Sequence, residues 1–167
     1  MPRCVLLTDA RNDAGLARAI RRLPRGSALV FRHYHLSGPA RRRRFECLRK
    51  LARGCGVLVI GARVPESWHV DGVYGAAGEV AGKPGLRLAT AHSLREIGMA
   101  ARAGADAVLL SPVFATRSHP GASALGPVRF LLLARLSPLP VIALGGMTQA
   151  RAARLAVAGW AAIDGLV

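Results

Sequence analysis

Lysine, acidic residues and aromatics are all scarce in this chain of 167 residues. Lys50 and Lys83 are the only lysines among 24 basic residues, so arginine supplies nearly all the positive charge. Nine acidic residues leave a formal net charge of +15. Such a field attracts anions, whether phosphates, diphosphates or nucleic acid. An aromatic share of 5% offers little for stacking bases, and no groove-reading signature is present, which argues against a nucleic-acid partner. Cysteine is limited to Cys4, Cys47 and Cys55, an odd set with no CxxC spacing. They read as buried free thiols in a reducing cytoplasm, not as a disulfide or a zinc site. No run of about 18 apolar residues exists, so no membrane span is expected. The apolar stretch before Asp9 is too short for a secretory leader. The expectation is a cytoplasmic protein.

The chain is nevertheless 51% hydrophobic, which excludes a disordered polymer and suits one domain over residues 1–167. Short apolar runs alternate with Ala/Arg/Leu-rich helical runs. Strands are predicted at Val5–Thr8, Ser27–Arg32, Gly56–Gly61, Asp71–Gly75, Leu86–Thr90, Asp106–Ser111, Pro140–Leu144 and Trp160–Asp164. Helices are predicted at Gly15–Leu23, Pro39–Arg53, Ser93 to near Gly104, Val128–Leu136 and Gln149–Ala158. Ser93 and Glu96 fit a capping box, and Gly104 fits a left-handed C-cap. The strands are continuous apolar runs, as in parallel sheets covered on both faces. Eight such units point to an α/β fold, a compact (β/α)8 TIM-type barrel. Such barrels usually need about 200 residues or more, so several helices must be shortened or missing. Residues 63–70 are too few and too polar for a helix, Gly75–Gly85 hardly suits one, and none is expected after the eighth strand. A naked barrel side would be apolar, which leaves room for a homodimer that covers it. An open doubly wound sheet is the rival architecture.

In a (β/α)8 barrel the loops after the strands build the active site. That rule selects Arg32, His33, Tyr34 and His35; Thr90, His92 and Ser93; the loop Ser111–Ala122; Gly145 and Gly146; and Asp164 and Gly165. Thr116, Arg117, Ser118 and His119 group two hydroxyls, a permanent cation and an imidazole, either a set that holds a phosphate or an ordinary polar surface loop. Glycine at 145 and 146 either lets the backbone approach a phosphate ahead of a helix start or makes a plain strand-to-helix turn. Arg32 is either a second anion-binding group or a surface charge. His92 is either a buried structural histidine or a catalytic base. His33 and His35 alternate like a metal pair, but no third ligand has suitable spacing. The run Arg41–Arg44 reads either as a solvated helix face or as an anion patch. Tyr74 reads as packing and Cys55 as core.

Several segments resemble the thiamine phosphate synthase and TenI superfamily. Ala89-Thr90-Ala91-His92-Ser93 with Glu96 is similar to the family's fifth-strand motif. Gly104-Ala105-Asp106 through Pro112-Val113-Phe114 resembles its GADY…PVF segment. Thr116, Ser118 and His119 occupy its Thr-x-Thr-Lys diphosphate loop, and Pro140–Gly146 resembles PVVAIGG. More weakly, Leu6-Leu7-Thr8-Asp9 resembles LITD, Arg32 the arginine of QLREK, and Asp71-Gly72-Val73 the start of DGVHL.

The resemblance implies a thiamine-biosynthesis transferase that joins hydroxymethylpyrimidine diphosphate to thiazole phosphate and releases diphosphate. It implies Arg32, Thr116 and Ser118 on the diphosphate and Gly145-Gly146 on the thiazole phosphate. Thr90 and Arg117 join them as phosphate-binding residues, and Arg32, His92 and His119 stand as the catalytic set. Mg2+ is the family's usual helper, but its carboxylates are not matched. Gly61-Ala62 stand where the family has Asn-Asp, only Glu79 loosely follows Tyr74, His33-Tyr34 replace a lysine, and His119 replaces the loop lysine. The resemblance therefore also admits a TenI-like thiazole tautomerase, whose strand-six histidine corresponds to Pro112, or a non-catalytic protein that binds a phosphorylated ligand on a degenerate barrel.

Overall fold

The computed structural model describes residues 1–116, 123–155 and 157–166. Eight parallel strands form a closed barrel in chain order. They are β1 (Cys4–Leu7), β2 (Ala28–Phe31), β3 (Leu58–Gly61), β4 (Gly72–Gly75), β5 (Leu86–Ala91), β6 (Ala107–Leu110), β7 (Val141–Leu144) and β8 (Gly159–Ala162). The barrel shuts where Cys4, Val5 and Leu6 lie beside Trp160, Ala161 and Ala162. The open doubly wound sheet is excluded by this closure.

Side-chain alternation sorts the apolar runs into two sets. Val5, Leu7, Val30, Ile60, Leu88, Leu109 and Ile142 fill the barrel interior. The intervening residues face outward: Leu6, Leu29 and Val59 on one side of the barrel, Ala89, Val108 and Ala143 on the other. Both faces are thus buried, which explains strands without polar alternation.

Among the described residues six helices cover the outside: α1 (Leu16–Arg22), α2 (Gly38–Gly54), α3 (Ala77–Val80), α4 (Leu94–Arg102), α5 (Gly126–Leu136) and α6 (Gln149–Leu155). Leu16 and Ile20 of α1 and Phe45 and Leu48 of α2 pack on the outer residues of β1–β3. Ile97 and Ala100 of α4 and Phe130 of α5 do the same for β5–β7. The segment Gly75–Gly85, expected to carry no helix, forms the single turn α3. A 3-10 turn at Ala10–Gly15, not anticipated, leads into α1. The Ser93 hydroxyl accepts from Glu96 N–H, as expected, but Glu96 reaches back to the amide of His92, not to that of Ser93. Gly104 takes φ +73, as a left-handed C-cap requires.

No helix joins β3 to β4. Trp68 fills that place, 7% exposed, with its ring 4.6 Å from Phe45. No helix follows β8 within the described residues. There a groove of about 590 Å³ runs between α1 and α6, with Trp160 and Cys4 among its walls. The most exposed apolar stripe lies elsewhere, on α5, where Val128, Leu131, Leu132 and Leu136 face outward.

The cysteine expectation needs correction: only Cys4 is buried, Cys55 is half-buried against the β1–β3 core, and Cys47 is exposed on α2. No helix among the described residues is long and apolar enough to cross a membrane.

Candidate functional site

The carboxyl ends of the strands open into a cavity of about 730 Å³. Arg32, Thr90, His92, Thr116, Gly145 and Gly146 all line it. These six come from the ends of β2, β5, β6 and β7, far apart in sequence and joined only by barrel closure. The other candidates, Arg117, Ser118 and His119, lie outside the described residues. The volume suits a ligand of small-molecule size.

Gly145 and Gly146 form a tight part of the wall, at φ +96 and φ +60. A Cβ on residue 145 would stand 2.6 Å from Pro112 Cα, and one on residue 146 would stand 2.7 Å from the carbonyl oxygen of Ala115. Only glycine satisfies both the backbone angle and the space. The two loops are laced together: Val113 and Phe114 N–H donate to the carbonyls of Leu144 and Gly145, at 2.9 and 3.1 Å. Arg151 of α6 donates to the Gly146 carbonyl and lies over the Phe114 ring, 4.4 Å from its centre.

Arg32 stands on the opposite wall. Its Nε donates to the Thr8 carbonyl at 3.0 Å and its Nη2 to Asp9 at 2.9 Å. Burial works to raise the Asp9 pKa, but hydrogen bonds from Arg11 and the charges of Arg11 and Arg32 outweigh it and hold the carboxyl below its ordinary value. Asp9 therefore stays ionised and fixes the guanidinium. Arg32 is a built wall group, not a loose surface charge.

His92 departs from the reading of a buried structural histidine: it is exposed on the cavity wall. Its Nδ1 lies 2.7 Å from the Ser111 carbonyl, and a carbonyl only accepts, so Nδ1 carries a proton. Nε2 has no hydrogen-bond partner among the described residues. Thr90 makes only a long contact, 3.4 Å, to the Gly75 carbonyl.

Tyr74, read from sequence as packing, lines the cavity with Ser111, Thr148 and Asp164. Burial pushes the Tyr74 hydroxyl pKa up, while the neighbouring Arg32 works against that rise. Its side-chain direction depends on the register of β4, which no local pattern reveals. Asp164 faces Arg11 across 3.9 Å.

The run Arg41–Arg44 is a solvated helix face only in part, at the exposed Arg43. Arg41 donates to the carbonyls of Arg32, Ala62 and Arg63, tying the ends of β2 and β3 together. Its guanidinium also lies within 6 Å of the rings of Phe31, Tyr34 and Trp68. Arg42 pairs with Glu46 and Arg44 with Asp13. His33 is occupied too: its ring nitrogens are 2.7 Å from Thr8 Oγ1 and Asp13 Oδ1, so it is not half of a metal pair.

A matching family model closes the argument for what this barrel is. The model described as thiamine monophosphate synthase matches residues 4–166. The chain belongs to the thiamine monophosphate synthase family. It is 34% identical over 123 residues to the thiamine-phosphate synthase of Chloroflexus aurantiacus. That match takes in 67% of this chain and 57% of the relative, so the chain spans little more than half of that relative's length. A thiamine phosphate pyrophosphorylase from Pyrococcus furiosus has a similar fold, with TM-score 0.75 at 22% identity, over 97% of this chain and 85% of that one. FabK from Thermotoga maritima shares the barrel at TM-score 0.74 and 19% identity, over 99% of this chain and 59% of that one.

The residues present do not fit the magnesium ion that this family implies. A Cβ on Gly61, where the family's Asn-Asp pair would begin, would stand 2.3 Å from Val64 Cγ2. Glu79 accepts from the Ala76 amide at 2.7 Å and from Arg63 at 2.6 Å, so its charge is already matched. Among the described residues no three His, Cys, Asp or Glu side chains gather as a metal site.

Proposed function

We propose that the chain is a thiamine phosphate synthase-like transferase acting on small phosphorylated substrates at the mouth of a single barrel domain over residues 1–167, in the cytoplasm. The carrying observation is one cavity lined by the Gly145-Gly146 turn, Thr116 and the tethered Arg32. In this reading hydroxymethylpyrimidine diphosphate loses its diphosphate as the carbon–oxygen bond breaks, the electron pair leaving with the diphosphate. The thiazole nitrogen then gives its lone pair to the freed carbon, forming the new carbon–nitrogen bond. Arg32, Thr116 and Ser118 meet the departing diphosphate, with Arg117 and His119 beside them. Thr90 and the amides of Gly145 and Gly146 hold the thiazole phosphate. His92, with its Nδ1–H held by the Ser111 carbonyl, donates from Nε2 to the leaving oxygens as the imidazolium. Stabilising charge as it develops on the leaving group is the expected source of rate.

The unmatched magnesium carboxylates favour a second reading, in which the cavity takes a phosphorylated thiazole without diphosphate chemistry. It works there as a TenI-like tautomerase or as a binding protein. The deciding experiment incubates the protein with both synthase substrates, with and without Mg2+. Thiamine phosphate formation supports the transferase, and no product at high protein concentration overturns it. Tautomerisation of a thiazole carboxylate phosphate, or a ligand-induced thermal shift without turnover, then selects the second reading. A homodimer seated on the apolar stripe of α5 belongs to the same proposal.

A further inference from the structure

His33 is 1% exposed and takes φ +35, a left-handed conformation in which histidine is rarely found. Such strain persists only where the surroundings over-determine it. Here they do. The Phe31 ring stacks on the imidazole, centroids 4.8 Å apart and planes 6° from parallel. Asp13 Oδ1 lies 2.7 Å from Nε2, and Thr8 Oγ1 lies 2.7 Å from Nδ1. Arg44 of α2 clamps Asp13 from outside, donating from Nε to Oδ1 at 2.8 Å and from Nη2 to the Asp13 carbonyl at 2.9 Å. On the inner side, the Arg32 amide donates to Thr8 Oγ1 at 2.9 Å, and Arg32 Nε donates to the Thr8 carbonyl.

Proton bookkeeping gives this chain of contacts one direction. A carboxylate only accepts, so His33 Nε2 carries the proton. In a neutral ring Nδ1 then accepts, so the Thr8 hydroxyl donates to it. The Thr8 oxygen turns its lone pairs to the Arg32 amide. Burial keeps His33 below the ordinary histidine range against the pull of Asp13, with His35 and Arg44 adding to the lowering.

We propose that Arg44, Asp13, His33 and Thr8 are positioning residues: they preset the Arg32 guanidinium in the cavity wall for the oxyanion of a phosphorylated substrate. This deepens the function proposed above and rests on Arg32 being an anion-binding group. An arginine already held on two edges loses less freedom when an anion arrives, so affinity rises without a new contact.

The test measures inorganic pyrophosphate binding by calorimetry at pH 8, together with solvent protection of the Arg32 Nε–H in ¹H–¹⁵N spectra. T8V and H33N, asparagine being tolerant of positive φ, should each weaken pyrophosphate about tenfold and expose the Nε–H. T8S, which restores the hydroxyl, should recover both. In an R32A background, T8V and H33N should have no further effect on binding. Additive losses in that background overturn the proposal, as does unchanged Nε–H protection in T8V and H33N. If the unaltered protein does not bind pyrophosphate, the anion-site reading of the cavity falls. Loss of Nε–H protection in T8V and H33N then still upholds the relay itself, and retention overturns it. Should T8V not fold, D13N carries the same comparison.

Discussion

Gly145 and Pro112 are in contact so close that residue 145 has no room for a Cβ, which would stand 2.6 Å from the proline Cα. The site wall is therefore built from backbone on backbone. G145A must both clash and hold φ +96, a combination that costs about 2–4 kcal/mol. For a domain of this size that lowers Tm by roughly 5–15 °C. Thermal unfolding followed by circular dichroism checks it. G38A, at a helix start where a Cβ meets nothing within 4 Å, should leave Tm within about 2 °C of the unaltered protein.

Arg41 and Arg43 are two residues apart and should behave differently. Arg41 ties three carbonyls at the ends of β2 and β3, whereas Arg43 is exposed. R41A should cost about 2–3 kcal/mol in urea unfolding, and R43A less than about 0.5 kcal/mol. Equal effects would return the arginine run to a solvated helix face.

Stability should fall in two stages on acidification. Above about 6.5 His33 is neutral in both folded and unfolded chains and contributes no pH dependence. Its folded pKa is depressed, so below that value the unfolded chain takes up the proton first and stability is lost. The groups facing His33 are Asp13 from the 3-10 turn, Arg44 from α2, Thr8 after β1 and His35 on its own segment. Burial alone would raise the Asp13 pKa, but hydrogen bonds from His33 and Arg44 and the Arg44 charge lower it. Asp13 therefore stabilises the fold above the ordinary carboxylate pKa, and that contribution is lost as pH falls through its lower folded value. Tm measured from pH 8 to pH 3 should be level, then decline below about 6.5, then decline again below about 4. H33N should abolish the first decline and keep the second. An unchanged first decline in H33N would assign it to another group.

The α5 stripe gives the dimer a direct trial. Sedimentation velocity at about 100 µM should show a dimer, and L132E, which places a charge between Val128 and Leu136, should give a monomer. A monomer in both cases removes the homodimer from the proposal.

Arg32, Thr116 and the Gly145-Gly146 pair could be found in the sequence because each follows an apolar strand, and Thr90 because it stands near the end of one, and strand ends converge in a closed parallel barrel. Tyr74 and the contacts of Thr8 with His33 carried no such signal. Tyr74 sits within a strand, and its direction depends on barrel register. Thr8, His33 and Asp13 lie on three different segments and look like ordinary polar residues.

The amino-acid order alone determined the eight strands, the lack of a helix between β3 and β4, the Ser93 cap and the glycine turn, because these follow from local apolar runs, capping chemistry and allowed backbone angles. Only the closed tertiary structure decided which arginines are bound. Arg41 reaches three carbonyls and Arg44 clamps Asp13, although the two look alike in the chain. The reason is geometric: a guanidinium's partners sit on neighbouring strands and turns, and those are brought within reach only when β1, β2 and β3 pair side by side and α2 packs over them.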